Sequence, residues 1–180
     1  APTSSTAATL ALGDVLALAA ARRRRFTSED FAKRHPGGAL GGQLRPVVEM
    51  LRFKVGVDIE PVPEAVPVAD ALVHAAARSG RRPGAMLVVD DTGSLSGIFT
   101  DGDLRRLVVK EPADLDRPIG ELMTRTPRTL PDSAVLRDAV QLVREIRADE
   151  IPVVDADGKP VGILDVQDLI TLRLVTDEPR

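Results

Sequence analysis

An internal repeat constrains this chain more than any single motif. Gly97-Ile98-Phe99-Thr100-Asp101-Gly102-Asp103-Leu104 returns 65 positions later as Gly162-Ile163-Leu164-Asp165-Val166-Gln167-Asp168-Leu169. The same shift carries Val88-Val89-Asp90 onto Val153-Val154-Asp155 and Gly93 onto Gly158. Each copy reads as an apolar strand, an Asp/Gly turn, and a second strand. Gly, two apolar residues and a variable polar residue follow, and then Asp-Leu opening a helix. A unit of this size cannot bury its own apolar face, so two copies imply one paired module.

At 180 residues the chain can hold one or two domains and bury roughly 70% of the surface its unfolded form exposes. The core must be aliphatic, because 43% of residues are hydrophobic but there are four Phe and no Trp or Tyr. That composition offers no stacking platform for single-stranded nucleic acid. A net charge of -3 offers no basic footprint for a duplex. Nucleic acid is therefore not expected as a partner, and a small ligand is. The absence of Cys removes disulfides, thiolate zinc sites and thiol nucleophiles, and suits a reducing cytoplasm. No cofactor, metal or membrane association is expected. Asp14 interrupts the apolar run at 10–21, and the positive cluster Arg22-Arg23-Arg24-Arg25 follows that run, the reverse of a signal peptide. The chain begins without Met and runs at once into helix-start chemistry, as a piece of something longer would.

In chain order, the hydroxyls of Thr3-Ser4-Ser5-Thr6 precede an Ala/Leu-rich helix expected over 7–25. Its apolar residues surround most of the circumference, so it needs packing on several sides. The terminal arginines complement the C-terminal end of the helix dipole. Ser28-Glu29-Asp30-Phe31-Ala32 reads as a capped turn of helix. His35-Pro36-Gly37-Gly38-Ala39-Leu40-Gly41-Gly42 reads as a loop that either brings backbone N–H groups and His35 close to an anion or simply links two parts. A short helix over 44–51, a proline-punctuated connector with a short strand, and a helix over 68–79 follow. In that last helix Ala69, Leu72, Val73 and Ala76 share one face, and His74 is read as structural or solvated. The loop at 80–84 is three residues longer than its counterpart and carries Arg81 and Arg82. In the second copy Ser133 is expected to cap a helix reaching 148.

Thr100 and Asp103 stand where strand becomes helix. The free N–H groups of a first turn attract anions, a Thr hydroxyl adds a donor, and a carboxylate can accept from vicinal hydroxyls. That is chemistry for a ribose phosphate; plain N-capping uses the same residues. In the second copy Asp165 replaces Thr100. A carboxylate there repels phosphate and caps a helix well.

The doubled pattern resembles a tandem CBS domain pair, from about Val47 to Thr176. The resemblance implies an α/β (α+β) fold of β-α-β-β-α repeats, with an adenosine nucleotide or nucleotide-sugar effector bound between copies. It assigns Thr100, Asp103 and Asp168 to that effector and leaves a second site in doubt at Asp165. Gly13-Asp14-Val15-Leu16-Ala17, Phe26-Thr27-Ser28-Glu29-Asp30-Phe31-Ala32 and the His35-Pro36-Gly37-Gly38 loop are similar to the end of a sugar isomerase (SIS) domain. Together with the repeats they resemble the C-terminal half of the D-arabinose 5-phosphate isomerase family. The resemblance implies a SIS remnant at 1–45 and CBS domains at 46–112 and 113–176. It also implies a sugar phosphate substrate for the whole enzyme, a catalytic His35, homodimers through the CBS pair and a homotetramer overall. The phosphate-binding serines and carboxylate bases of such enzymes precede Ala1. A stand-alone CBS ligand-sensing or dimerisation module without catalysis is the rival reading.

Overall fold

The computed structural model describes residues 3–27, 30–31, 34, 42–77, 82–110, 112–146 and 148–171. The chain divides into two compact units, Ala1–Leu44 and Arg45–Arg180.

In the first unit, α1 spans Ser4–Arg23, and Thr3 is its N-cap without any side-chain cap bond. The hydroxyl cluster therefore does not cap as expected; Thr9 Oγ1 donates instead to the Ser5 carbonyl. The helix closes in a Schellman pattern, with Phe26 N–H donating to the Ala21 carbonyl (2.9 Å) and Arg25 N–H to that of Arg22 (3.1 Å). Arg25 takes the left-handed φ of 52° that this closure needs. No described residue of α1 is buried, and Leu10, Leu12, Leu16 and Leu18 are all exposed. By length and composition alone α1 passes for a membrane span, where none was expected. Asp14 near its midpoint would cost roughly 2.5–3.5 kcal/mol at a bilayer centre. Downstream, the Asp30 carboxylate accepts from Thr27 N–H and Oγ1 (both 2.9 Å), while Thr27 Oγ1 accepts from Asp30 N–H (3.2 Å). The capped turn thus starts from Thr27, one residue before the expected segment. His35 and the glycines at 37, 38 and 41 lie outside the described residues.

The second unit contains β1 (Phe53–Lys54), β2 (Val62–Pro63), α2 (Val68–Ala77), β3 (Ala85–Val89), β4 (Leu95–Thr100) and α3 (Asp101–Lys110). The chain continues through α4 (Ile119–Leu122), β5 (Thr124–Arg125), β6 (Leu130–Pro131), α5 (Leu136–Ile146), β7 (Glu150–Val154), β8 (Pro160–Asp165) and α6 (Val166–Thr171). The short helix expected at 44–51 is a 3-10 turn, Val47–Met50.

Among the described residues two four-stranded sheets form, in the orders β2-β3-β4-β5 and β1-β8-β7-β6. Their central hairpins share one register, Ala85 facing Thr100 in the first and Glu150 facing Asp165 in the second. Both hairpin turns use a left-handed glycine, Gly93 at φ 80° and Gly158 at φ 78°.

Edge strands are exchanged between the copies. β5, from the second copy's sequence, pairs with β4 (Gly97 facing Arg125), and β1, from the first copy's, pairs with β8 (Lys54 facing Gly162). Matching backbone bonds secure both exchanges. Val47 N–H donates to Ala134 O and Leu136 N–H to Arg45 O, while Ile119 N–H donates to Val66 O and Val68 N–H to Arg117 O. The repeat's own glycine makes room for each incoming strand. A Cβ on Gly162 would lie 2.5 Å from the Phe53 carbonyl oxygen, and one on Gly97 would lie 2.1 Å from Met123 Sδ.

Among the described residues three apolar clusters fill the unit. One gathers Val68, Ala71, Val88, Phe99, Ile119 and Met123; a larger one packs α5 on the second sheet; Phe53, Leu87 and Ile163 form a third. The face expected on α2 is corrected, since Val68 and Ala71 are buried whereas Val73 is 68% exposed. Two adjacent stripes of this helix are equally apolar, and only the sheet beneath selects between them. Ser133 does not cap α5 either: Val135 N–H donates to the Asp138 carboxylate (3.0 Å) just ahead of Leu136.

We predict that Gly162→Ala destabilises the protein by about 2–3 kcal/mol, because a backbone oxygen must move. Gly97→Ala should cost less, since the Met123 side chain can rotate away. Denaturant midpoints at unchanged m-value read both, and equal midpoints would reject the steric assignment.

Candidate functional site

The two copies differ in how their helices cover the sheets. On α5, Leu136, Ala139, Val140, Leu142 and Val143 are buried. The corresponding residues of α2, 68 positions earlier, are Val68, Ala71, Leu72, His74 and Ala75. Leu142 is thereby replaced by an exposed His and Val143 by Ala, and the first copy is left open. A cleft of about 1080 Å³ results, bounded by α2, strands β2, β3 and β4 and the segment leading into β2. That is the upper end of small-ligand pockets. Ile59, Val62, Val66, Leu72, Phe99 and Leu104 supply apolar lining; Asp70, Arg82, Thr100 and Asp101 supply polar groups. Arg82, from the longer loop, donates to the Ala76 carbonyl near the end of α2 (2.6 Å).

Thr100 reaches the cleft as the last residue of β4, but its hydroxyl is already engaged. Asp103 Oδ2 accepts from Thr100 Oγ1 (2.7 Å) and Thr100 N–H (2.9 Å), and Thr100 Oγ1 accepts from Asp103 N–H (3.2 Å). Thr27 and Asp30 form the same reciprocal box in the first unit. The capping reading of Thr100 and Asp103 is therefore realised. Asp101 N–H donates to the Gly84 carbonyl (2.7 Å), so two of the four first-turn donors of α3 are used internally. Burial disfavours ionised Asp103, but the Thr100 bonds and the Arg106 guanidinium (2.5 Å) outweigh it and hold the carboxyl below its ordinary value. Asp103 is not itself among the residues lining the cleft.

At the equivalent place in the second copy Asp165 and Asp168 are both buried. Arg52 closes on them, its Nη2 on Asp168 Oδ1 and its Nη1 3.8 Å from Asp165 Oδ2. Asp165 also accepts from Gln167 N–H (2.9 Å), the capping role expected of a carboxylate there. Asp168 is thus committed to a cation from the chain itself.

Glu150, which the sequence reading passed over, stands at the start of β7 and accepts from Gly84 N–H (2.6 Å) across the two copies. Desolvation pushes its carboxyl up to about 7 against the Gly84 bond, with Asp165, Asp101 and Asp149 adding repulsion. The missed signal was the exchange of Leu142 and Val143 for His74 and Ala75, together with a carboxylate at 150 where the first copy has Ala85. Among the described residues no group of His, Asp and Glu could hold a metal ion.

Comparison with known proteins follows the repeat. The CBS domain family matches residues 55–110 and 119–174. Arabinose 5-phosphate isomerase KdsD of Pseudomonas aeruginosa is 41% identical over 170 residues, 94% of this chain and 51% of that protein. Arabinose 5-phosphate isomerase GutQ of Salmonella typhi is 42% identical over 168 residues, 93% of this chain and 51% of that protein. The chain spans about half the length of these curated relatives. Among solved structures, CBSX2 in complex with AMP is 30% identical with a TM-score of 0.58, covering 72% of this chain and 96% of that one. CBSX2 from Arabidopsis thaliana gives 28% and 0.55, covering 72% and 94%.

A carboxyl raised from 4.5 to about 7 on folding keeps a proton that the unfolded chain has released. Its contribution is present below the unfolded value and lost as pH rises through the folded one. Glu150→Gln should therefore match the parent near pH 4.5 and exceed it at pH 8 by about 1–2 kcal/mol, after discounting for partial exposure. Urea denaturation at both pH values measures the gap; a pH-independent gap would contradict the assignment.

Proposed function

The chain belongs to the CBS domain family, and from that premise we propose that its second unit is the regulatory CBS pair of an aldose-ketose isomerase. The reaction is the interconversion of D-ribulose 5-phosphate and D-arabinose 5-phosphate, in the cytoplasm, on the route to the lipopolysaccharide sugar Kdo. Relatives named arabinose 5-phosphate isomerase align along 93–94% of this chain, which supports the assignment. Residues 1–45 are then the end of the sugar isomerase domain, followed by CBS domains at 46–112 and 113–176. The exposed apolar α1 fits a helix that packs against the preceding half of a longer protein. In that longer protein His35 moves a proton between C1 and C2 of the sugar, through the 1,2-enediol. Assembly is by homodimers of the CBS pair within a homotetramer.

The observation that carries the effector reading is the cleft in the first copy, which ends at the Thr100–Asp101 junction of strand and helix. An AMP-type nucleotide suits it. The apolar walls accept a base, Asp103 reaches ribose hydroxyls if the cap opens, and the Thr100 end takes phosphate. The second copy has Arg52 on Asp165 and Asp168 where a ligand would sit, so one nucleotide per chain is the stoichiometry.

Titration calorimetry with AMP should count one site per chain, and Asp103→Ala should weaken it about tenfold, the scale of one lost charged hydrogen bond. Two equal sites, or unchanged affinity in the variant, would reject the assignment. In the longer enzyme His35→Ala should lower kcat by a factor of about 100 with AMP binding intact. His74→Ala is the control, and a kcat within a few-fold of the parent for both variants would leave His35 without a catalytic role.

A further inference from the structure

One wall of the first-copy cleft is held by the second copy. The Gly84 carbonyl accepts from Asp101 N–H (2.7 Å), and Gly84 N–H donates to Glu150 Oε1 (2.6 Å). Gly84 and Asp101 line the cleft, whereas Glu150 belongs to the other sheet. The 65-residue shift places Asp149 opposite Gly84, Val166 opposite Asp101 and Glu150 opposite Ala85. The first of the two bonds has its twin, Val166 N–H donating to Asp149 O (3.0 Å). The second has none, because Ala85 carries no carboxylate. The Glu150 bond is therefore an addition to the shared framework and serves the cleft side alone.

Its charge surroundings are specific. Asp101 faces Glu150 from the start of α3, Asp165 from the neighbouring strand β8, and Asp149 from the residue before it. Arg52 is engaged with Asp165 and Asp168. Side-chain oxygens of Asp101 and Glu150 both lie close to Gly84, at 3.5 and 3.6 Å from the point where a Cβ would stand. A phosphate arriving at the Thr100–Asp101 end adds negative charge next to carboxylates that already repel one another.

We propose that Glu150 is a proton-linked positioning residue of the first-copy cleft, which admits a phosphate-bearing ligand when protonated and opposes it when ionised. The ligand part rests on the nucleotide reading above. Binding an anion then takes up a proton at Glu150, and by linkage affinity rises as pH falls. Glu150→Gln keeps an acceptor oxygen for Gly84 N–H and removes the titration.

Two measurements on the whole chain decide it. In the ligand-free protein the Gly84 amide resonance should titrate between about pH 6 and 8, and in Glu150→Gln it should stay at its acid-side position. With AMP as probe, affinity for the parent should fall about three- to tenfold relative to the variant between pH 6 and 8. Comparing the two proteins cancels the titration of the phosphate itself. A Gly84 amide that does not move with pH, or moves equally in the variant, overturns the proposal, as does AMP binding with the same pH dependence in both proteins. If AMP binds neither protein, the nucleotide reading fails and the amide titration alone decides the role of Glu150.

Discussion

The second unit depends on a reciprocal exchange of backbone. Each copy sends a two-residue strand to the edge of the other's sheet and closes that exchange with a pair of backbone hydrogen bonds at the start of the other's sheet-covering helix, α2 or α5. Without it each sheet would keep three strands and an open edge over a half-covered apolar face. The glycine of the repeat is there because each incoming segment passes within contact of it, so one residue type at 97 and 162 is the local condition for the global pairing. Consequently neither copy is complete by itself, and a perturbation on one side is felt on the other.

The common frame leaves room for the copies to diverge. The second packs Leu142 and Val143 down onto its sheet and closes its polar junction with Arg52 between Asp165 and Asp168. The first carries smaller or polar residues at the matching positions and keeps a cleft. The aliphatic core is uneven in the same way: its larger cluster packs α5 on the second sheet, and Phe53, Leu87 and Ile163 form a contact shared by both copies.

Charge follows the same division. In the second copy a guanidinium meets two buried carboxylates, which satisfies them locally. Along the cleft side, carboxylates at 101 and 150 converge on one glycine with less compensation, and burial opposes the charge on Glu150. Asp101 is exposed and Glu150 half-buried, so the proton proposed to be taken up with a ligand belongs to Glu150, the one that burial disfavours as an anion.

Much of the fold was legible in the chain alone. Repetition at a constant spacing identified two equivalent units, because the strand-turn-strand pattern and its left-handed glycines are local requirements that recur wherever the unit does. The hydroxyl-to-carboxylate spacing of Thr100 and Asp103 identified a helix start for the same reason, since a capping box needs only residues three apart. Tertiary structure alone decided which face of α2 is buried, which strands change sheets, and that Arg52 meets Asp168 and Glu150 meets Gly84. Those outcomes join residues 66 and 116 positions apart. Side chains so separated in sequence interact only after the exchanged strands have set the two sheets against each other, so no local pattern could announce them.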